Sequence, residues 1–247
     1  MRPAAWRIEE LEETSSTQDV ALSLATGGAP EGTVVAARTQ TAGRGRSGRS
    51  WASPAGGIYM SAVLRPGKVP NPQLLSLVGA LAVVRGIRAS TGIDSRIRWP
   101  NDVLVRGRKV AGVAVEASYS GQSLSFIILG VGLNCNSEPQ ADGIRPGGAT
   151  SLMNELKRPV DVNQVRQSVL EALAGLYTGW LEGADVISES SESLGTVGRQ
   201  VIVKSRGGTE ILCTALELDS LGGLVVLSEG ERIVLRAEDV DTLTEVH

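Results

Sequence analysis

Histidine is almost missing from this chain of 247 residues: the single one, His247, is the last. Histidine triads, histidine general bases and histidine metal sites are thereby excluded. Chemistry here must rest on lysine, arginine, carboxylates, backbone amides or a bound cation. Cysteine is nearly as rare. Cys135 and Cys213 each stand alone in their neighbourhoods, so neither a zinc spacing nor a disulfide framework can be read, and a reducing cytoplasm is the expected setting. Aromatic residues make up 3% of the chain, which leaves the core to Val, Leu, Ile and Ala. No apolar run reads as long enough to span a bilayer, and the N-terminus turns acidic at once, without the apolar centre of a signal peptide. A net charge of −3 argues against a general nucleic-acid or membrane-surface binder.

Glycine, by contrast, is abundant. Thirty glycines predict many tight turns and at least one loop where backbone comes close to a ligand. Residues 14–26 (TSSTQDVALSLAT) read as a helix opened by Ser16 or Thr17 as cap and closed by Gly27 and Gly28. Strands are predicted at 32–40, 57–64, 94–99, 102–105, 109–118 and 123–136, with the tetrapeptide RGRK (106–109) as a hairpin turn. Leu74, Leu77, Val78, Leu81 and Val84 repeat at helical spacing within 72–91, as do Val165, Val169, Leu173, Leu176, Tyr177 and Trp180 within 162–181. The serine-rich stretch 188–193 reads as a helix end or linker. It marks the boundary between a first domain, 1–195, and a second, 196–247. In the second, QVIVKS, TEILCTALEL, GLVVLS and ERIVLRAEDV predict short strands of a small β-barrel. Strands follow one another through turns rather than regular βαβ crossovers, so the expected class is α+β: a mixed or largely antiparallel sheet with packed helices, then the barrel.

Three segments carry chemistry. QTAGRGRSGRSW (40–51) alternates Arg44, Arg46 and Arg49 with Gly43, Gly45 and Gly48. Glycines let backbone approach a ligand, and arginines offer forked donors to phosphate and carboxylate oxygens. Such a loop is expected to be mobile when empty and ordered by an anion. Composition alone leaves a solvated hairpin tip or an RNA-binding run as alternatives. In RWPNDVLVRGRKVAGVAVE (98–116), Pro100 restricts Trp99 to an extended shape, and Asn101 and Asp102 form a turn into a strand. Asp102 has the chemistry to take a proton or hold a cation, or it is simply a turn residue. Lys109 opens a strand leading to Ala111 and Gly112, whose small side chains leave room against the sheet. In GVGLNCN (130–136), Gly130 and Gly132 weaken a strand interior, which points to something approaching the backbone, and Asn134 offers a donor and an acceptor suited to a purine edge. Neither a Walker loop nor a G-x-G-x-x-G fingerprint is present.

Together, SSTQD (15–19), QTAGRGRSGRSW, RWPNDVLV with RKVAGVAVE, and GVGLN (130–134) resemble the biotin protein ligase family in order and spacing, over essentially the whole chain. The resemblance implies a biotin/lipoate ligase-like catalytic domain followed by an SH3-like barrel. It also implies a two-step reaction in which biotin and ATP, with Mg2+, give biotinyl-5′-adenylate, and a lysine of a biotin carboxyl carrier protein then receives biotin. Carried over by position, Ser16, Thr17, Gln18 and Gln40 would hold the ureido head of biotin. Arg44, Gly45 and Arg46, with Arg49 and Trp51, would belong to the loop closing over biotin and phosphate. Lys109 would contact the carboxylate and then the acyl phosphate, Gly112 and Val113 would flank the biotin body, Asn134 would lie near adenine, and Asp102 is a candidate base for the incoming lysine.

Two departures from the family pattern are small: Gln18 stands where Asn is usual, and Arg98 where Lys is common. A third bears on function. Some members carry an N-terminal helix-turn-helix domain, whereas here the pattern begins within about 15 residues of the start, so an enzyme without a DNA-binding role is expected. A homodimer through an exposed sheet edge is plausible. A lipoate-type ligase, a nucleic-acid-binding module and a catalytically silent biotin sensor are the rival readings.

Overall fold

The computed structural model describes residues 6–67, 69, 71–137 and 148–246; His247, named above, lies outside them. The first half of the chain runs β1 (Arg7–Thr14), α1 (Thr17–Thr26), β2 (Thr33–Gln40), β3 (Ile58–Leu64), α2 (Leu75–Thr91), β4 (Arg96–Arg98), β5 (Asp102–Val105), β6 (Arg108–Ser120) and β7 (Ser123–Leu133). It continues through α3 (Leu152–Leu156), α4 (Val162–Leu181) and α5 (Val186–Ser193) to β8 (Gln200–Ser205), β9 (Glu210–Leu218), β10 (Leu224–Ser228), β11 (Glu231–Leu235) and β12 (Val240–Glu245). The α+β class expected from the sequence is the one observed. A seven-stranded sheet has the order β1-β2-β3-β7-β6-β5-β4, and a five-stranded sheet the order β11-β10-β9-β8-β12. Among the described residues β1 and β2 run parallel and the other strand pairs are antiparallel. The second sheet is consistent with the SH3-like barrel expected.

Strand alternation divides the large sheet into two faces. Val34, Ala36, Met60, Ala62, Leu129 and Val131 turn toward α2 and α4 and form the main core. Val35, Val63 and Ile128 turn the other way and pack with Ala21 and Ala25 of α1. Because α1 is short, it covers only part of that second face. The uncovered remainder becomes the site.

Helix α2 is buried almost all round, between the sheet and α4. Gly86 lets the two helices touch: a Cβ there would stand 2.5 Å from Val169 Cγ2 and 2.7 Å from Val169 Cα. The stretch Pro72–Thr91 is, contrary to the sequence reading, long and apolar enough by length and composition to cross a membrane, but 67% of it is buried inside this fold. Two apolar neighbours explain its composition without a bilayer.

Two other features differ from expectation, one decides between the readings the sequence left open, and one was not addressed by it. Strand β1 was not foreseen, because RIEELEET places mostly exposed glutamates along it; it forms through main-chain pairing with β2 in the register Arg7↔Thr33 to Thr14↔Gln40. The serine-rich segment is a helix, α5, whose N-terminus is capped by Asp185 accepting from the Ser188 N–H at 3.0 Å. The run ERIVLRAEDV is broken by a turn, with Asp239 N–H donating to the Arg236 carbonyl at 3.1 Å, and gives β11 and the start of β12. The Trp99–Pro100 peptide is cis.

Trp99 joins the two sheets. It is 1% exposed, its backbone N–H donates to Thr196 Oγ1 at 3.0 Å and its indole N–H to the Gly222 carbonyl at 3.0 Å. Asn71 adds a bond to the Leu221 carbonyl at 2.7 Å. Val201, Cys213 and Leu224 of the second sheet belong to the same buried cluster as the first.

Candidate active site

The floor of the site is a patch of sheet made of three glycines and one alanine. Gly112 of β6 lies opposite Gly132 of β7, and Ala114 opposite Gly130, all on the face that α1 leaves open. A cavity of about 780 Å³ opens over this patch. The glycines are required there. A Cβ on Gly132 would come 2.5 Å from Trp51 Cε2 and one on Gly112 would come 3.2 Å from Trp51 Cζ3, while a Cβ on Gly130 would collide with Gln18 Oε1. The indole of Trp51 therefore rests on bare backbone. Val113 meets the cavity only along its backbone: its side chain is 1% exposed and packs toward Gly79 in the core.

One end is a polar wall built where α1 begins. Thr17 donates to Gln40 Oε1 through its backbone N–H at 2.8 Å and its hydroxyl at 3.1 Å, and its hydroxyl lies 2.9 Å from Ser61 Oγ. Ser61 Oγ in turn donates to Gln18 Oε1 at 3.1 Å, and Gln40 Nε2 donates to Ser53 Oγ at 2.7 Å. Ser16 occupies the N-cap position of α1, but its hydroxyl makes no capping bond, in contrast to the role the sequence suggested. Among the described residues, Ser16 Oγ and Trp51 Nε1 are buried without a hydrogen-bond partner. Buried polar atoms normally have one, and both residues border the cavity.

The opposite end holds a charged triad. Asp102 Oδ1 lies 2.5 Å from Lys109 Nζ, and Asp102 Oδ2 lies 2.6 Å from the Arg98 guanidinium. Burial alone would raise the Asp102 carboxyl; Lys109 and Arg98 outweigh it and hold the group below its ordinary 3.8. A depressed folded pKa means that stability from this ionised carboxylate is present above the ordinary value and is lost only as pH falls through the lower folded one. Urea unfolding across pH should therefore show the wild type's advantage over Asp102→Asn held at pH values above 3.8 and declining progressively below it; an advantage already lost well above that pH would contradict the depressed value. Lys109 Nζ also lies 5.3 Å from the centre of the Trp51 ring, within cation–π range. The Lys109 backbone is clamped on both sides, its N–H donating to the Gly148 carbonyl at 2.9 Å and its carbonyl accepting from Thr150 N–H at 2.8 Å. Asn134 sits beside this clamp, its side-chain amide donating to the Thr150 carbonyl at 3.1 Å.

Over the cavity folds the arginine loop. Its turn is tight, with positive φ at Ser47 (56°) and Gly48 (73°), and Gly45 N–H donates to the Arg49 carbonyl at 2.7 Å. Each arginine reaches a different acceptor set. Arg44 pairs with Asp19 of α1 and lies 3.7 Å from Glu116. Arg49 pairs with Asp241 at 2.7 Å. Arg46 donates to Asn101 Oδ1 at 2.9 Å and to the Ala237 carbonyl, and forms no ion pair among the described residues. Burial pulls the Arg46 guanidinium below its ordinary value; Asp102 opposes that shift, while Arg206 and Arg49 add to it. A half-buried cation facing neutral acceptors carries charge to spare, and the triad, with two cations on one carboxylate, has a surplus as well. The cavity is thus lined for an anion at two points.

Residues 10–134 match the model of the biotin/lipoate A/B protein ligase family. The chain belongs to that family. It is 36% identical over 233 residues to the bifunctional ligase/repressor BirA of Bacillus subtilis, covering 91% of this chain and 70% of that one. To the biotin–[acetyl-CoA-carboxylase] ligase of Mycobacterium tuberculosis it is 33% identical over 247 residues, with 96% and 90% covered. The biotin protein ligase from Aquifex aeolicus, in complex with biotin and ATP, superposes with a TM-score of 0.84 at 28% identity, covering 97% of this chain and 99% of that one.

In this ligase-family chain every residue singled out from the sequence borders the one cavity: Ser16, Thr17, Gln18 and Gln40; Arg44, Gly45, Arg46, Arg49 and Trp51; Asp102, Lys109, Gly112, Val113 and Asn134. Sequence reasoning missed Ser61, which looks like any small residue in the apolar strand IYMSAVL; the signal available was a lone hydroxyl inside a strand whose other residues are apolar. It also missed Ala237 and Asp241, because nothing local in the turn after β11 or in β12 announces that they face a loop some 190 residues earlier.

Proposed function

We propose that this chain activates biotin with ATP and transfers it to a lysine of a biotin carboxyl carrier protein. The observation that carries the reading is the cavity itself: a glycine-floored trough with a neutral hydrogen-bonding wall at Thr17, Gln40 and Ser61 and surplus positive charge at Lys109 and Arg46. That is the outline of a ligand with an uncharged polar head, an apolar body and an anionic tail. In the first step a carboxylate oxygen of biotin attacks the α-phosphorus of ATP, the bond to the β-phosphate breaks, and pyrophosphate leaves. In the second, the lysine amine attacks the acyl carbon, the acyl–phosphate bond breaks, AMP leaves, and the amine gives up a proton.

The residues divide by place. Ser16, Thr17, Gln18 and Gln40 hold the ureido head; Gly112 and the backbone of Val113 flank the body; Asn134 lies on the adenine side. Lys109 and Arg46 bring two anions together and offset the charge gathering on phosphorus, which fixed cationic donors do at low cost because they are already oriented. Arg44, Gly45, Arg49 and Trp51 shape the loop and keep water from the mixed anhydride. Asp102 is ionised and shared by two cations, which favours holding Lys109 in place over accepting a proton from the incoming lysine. Magnesium has no protein cluster waiting for it: no three His, Cys, Asp or Glu side chains among the described residues could hold a metal, so any ion would be carried by the triphosphate. Cys135 and Cys213 are buried, unpaired thiols, which suits a reducing cytoplasm.

The test is to incubate the protein with biotin, MgATP and a carrier domain and weigh the carrier. One added biotinyl group supports the reading, and excess lipoate should leave it unchanged. Pyrophosphate release without a mass shift would withdraw this choice of carrier. Neither signal would sink the reading and favour a silent biotin sensor.

A further inference from the structure

The second sheet reaches into the first sheet's site at one place. Between β11 and β12, and on β12 itself, it presents two acceptors to the arginine loop: the Ala237 carbonyl, which takes Arg46, and the Asp241 carboxylate, 2.7 Å from Arg49. The Asp241 carbonyl also accepts from Arg49. Arg44 is held from the other side by Asp19. The loop is therefore tied down across the cavity at both edges, and at the C-terminal edge the Asp241 carboxylate is the one charged partner beside two main-chain carbonyls.

That carboxylate is placed by its strand. Val240 and Leu243 of β12 are buried in the core of the second sheet, and β12 pairs with β8 with a register shift between Val240 and Thr242. The irregularity falls at Asp241, where an extra residue re-aims a side chain out of the regular ladder. The turn is further fixed by Arg206 N–H donating to the Asp239 carbonyl at 2.9 Å. Arg49 and Asp241 are half-exposed, so the pair is worth little to overall stability, yet it spans two separately built parts of the molecule and closes the space between them.

We propose that Asp241 is a positioning residue for the arginine loop: by holding Arg49 it keeps the loop folded over the cavity, so that the C-terminal sheet governs how long an activated, water-sensitive ligand is retained. The retention half of this statement rests on the ligase reading above; the latch half does not. Loosening the latch raises loop opening and hence carrier-independent release of AMP, as water attacks the acyl carbon of the adenylate in the open site or after its escape and the acyl–phosphate bond breaks to give biotin and AMP, while the polar wall and the Asp102–Lys109 pair stay intact.

The experiment compares wild type with Asp241→Ala, Asp241→Arg, Asp241→Glu and the exchange Arg49→Asp/Asp241→Arg. Limited trypsin digestion, with fragments weighed, reads cleavage after Arg44 and Arg46, which every variant keeps, in the protein without ligands. Cleavage should rise about fivefold in Asp241→Ala, the scale of one surface ion pair, and further in Asp241→Arg, where like charges repel. It should return toward wild type in Asp241→Glu and in the exchange. With biotin and MgATP present and no carrier, AMP release should rise in the same order, with the thermal midpoint unmoved. Equal cleavage in wild type and Asp241→Arg overturns the latch. A rise in cleavage with unchanged AMP release in a protein that does release pyrophosphate overturns the retention role alone. If the wild type releases no pyrophosphate, the ligase reading fails and the cleavage series still decides the latch.

Discussion

Lys109→Ala lowers pyrophosphate release from biotin and ATP by roughly 100- to 1000-fold, the usual cost of removing one oriented donor from developing charge. The variant loses more than one contact. Lys109 Nζ is the partner of Asp102 at 2.5 Å and sits over the Trp51 ring at 5.3 Å. Without it, the triad changes from a net cation to a neutral Arg98–Asp102 pair, and a carboxylate entering the cavity meets no surplus positive charge at that end. Lys109→Arg should not restore the rate, because a planar fork cannot replace a compact ammonium between one carboxylate and one indole. The measurement is single-turnover pyrophosphate release, with circular dichroism to verify that the fold is intact. A Lys109→Ala rate within tenfold of wild type would remove Lys109 from the reacting centre.

The second large effect is on stability. Trp99→Ala should cost about 3–5 kcal/mol, the range for deleting a buried aromatic residue. Trp99 is 1% exposed and its indole N–H donates to the Gly222 carbonyl, so the change opens a cavity and takes the donor from a partly buried acceptor in the seam between the sheets. Urea unfolding reads the loss as a lower midpoint. Because the seam also carries the turn that presents Ala237 and Asp241, this variant should show raised trypsin cleavage in the arginine loop as well. A loss under about 1 kcal/mol would mean that the seam collapses around the smaller side chain.

The elements with strong local signals were legible from the residues. The two helices at 72–91 and 162–181 and the strand at 57–64 follow from periodicity and β-branched runs, and they appear as α2, α4 and β3. Strand β1 was not legible, since glutamates without alternation carry no strand signal; the unpaired edge of β2 supplied the reason for it to extend. The serine-rich stretch 188–193 was legible only as a helix end or a linker; it is the end of α5, whose serines favour turns until Asp185 caps the helix.

By itself the sequence determined the chemistry available: without internal histidine, catalysis falls to arginine, lysine, carboxylates, backbone or a bound cation, and the glycines at 112, 130 and 132 reserve bare sheet for a ligand. Those are properties of residue type and spacing. Only the tertiary structure decided how the charges are shared. Arg44 and Arg49 are neutralised by Asp19 and Asp241, while Arg46 faces Asn101 and a carbonyl. Nothing local distinguishes the three arginines, because each differs from the others only in what distant strand comes to lie beside it.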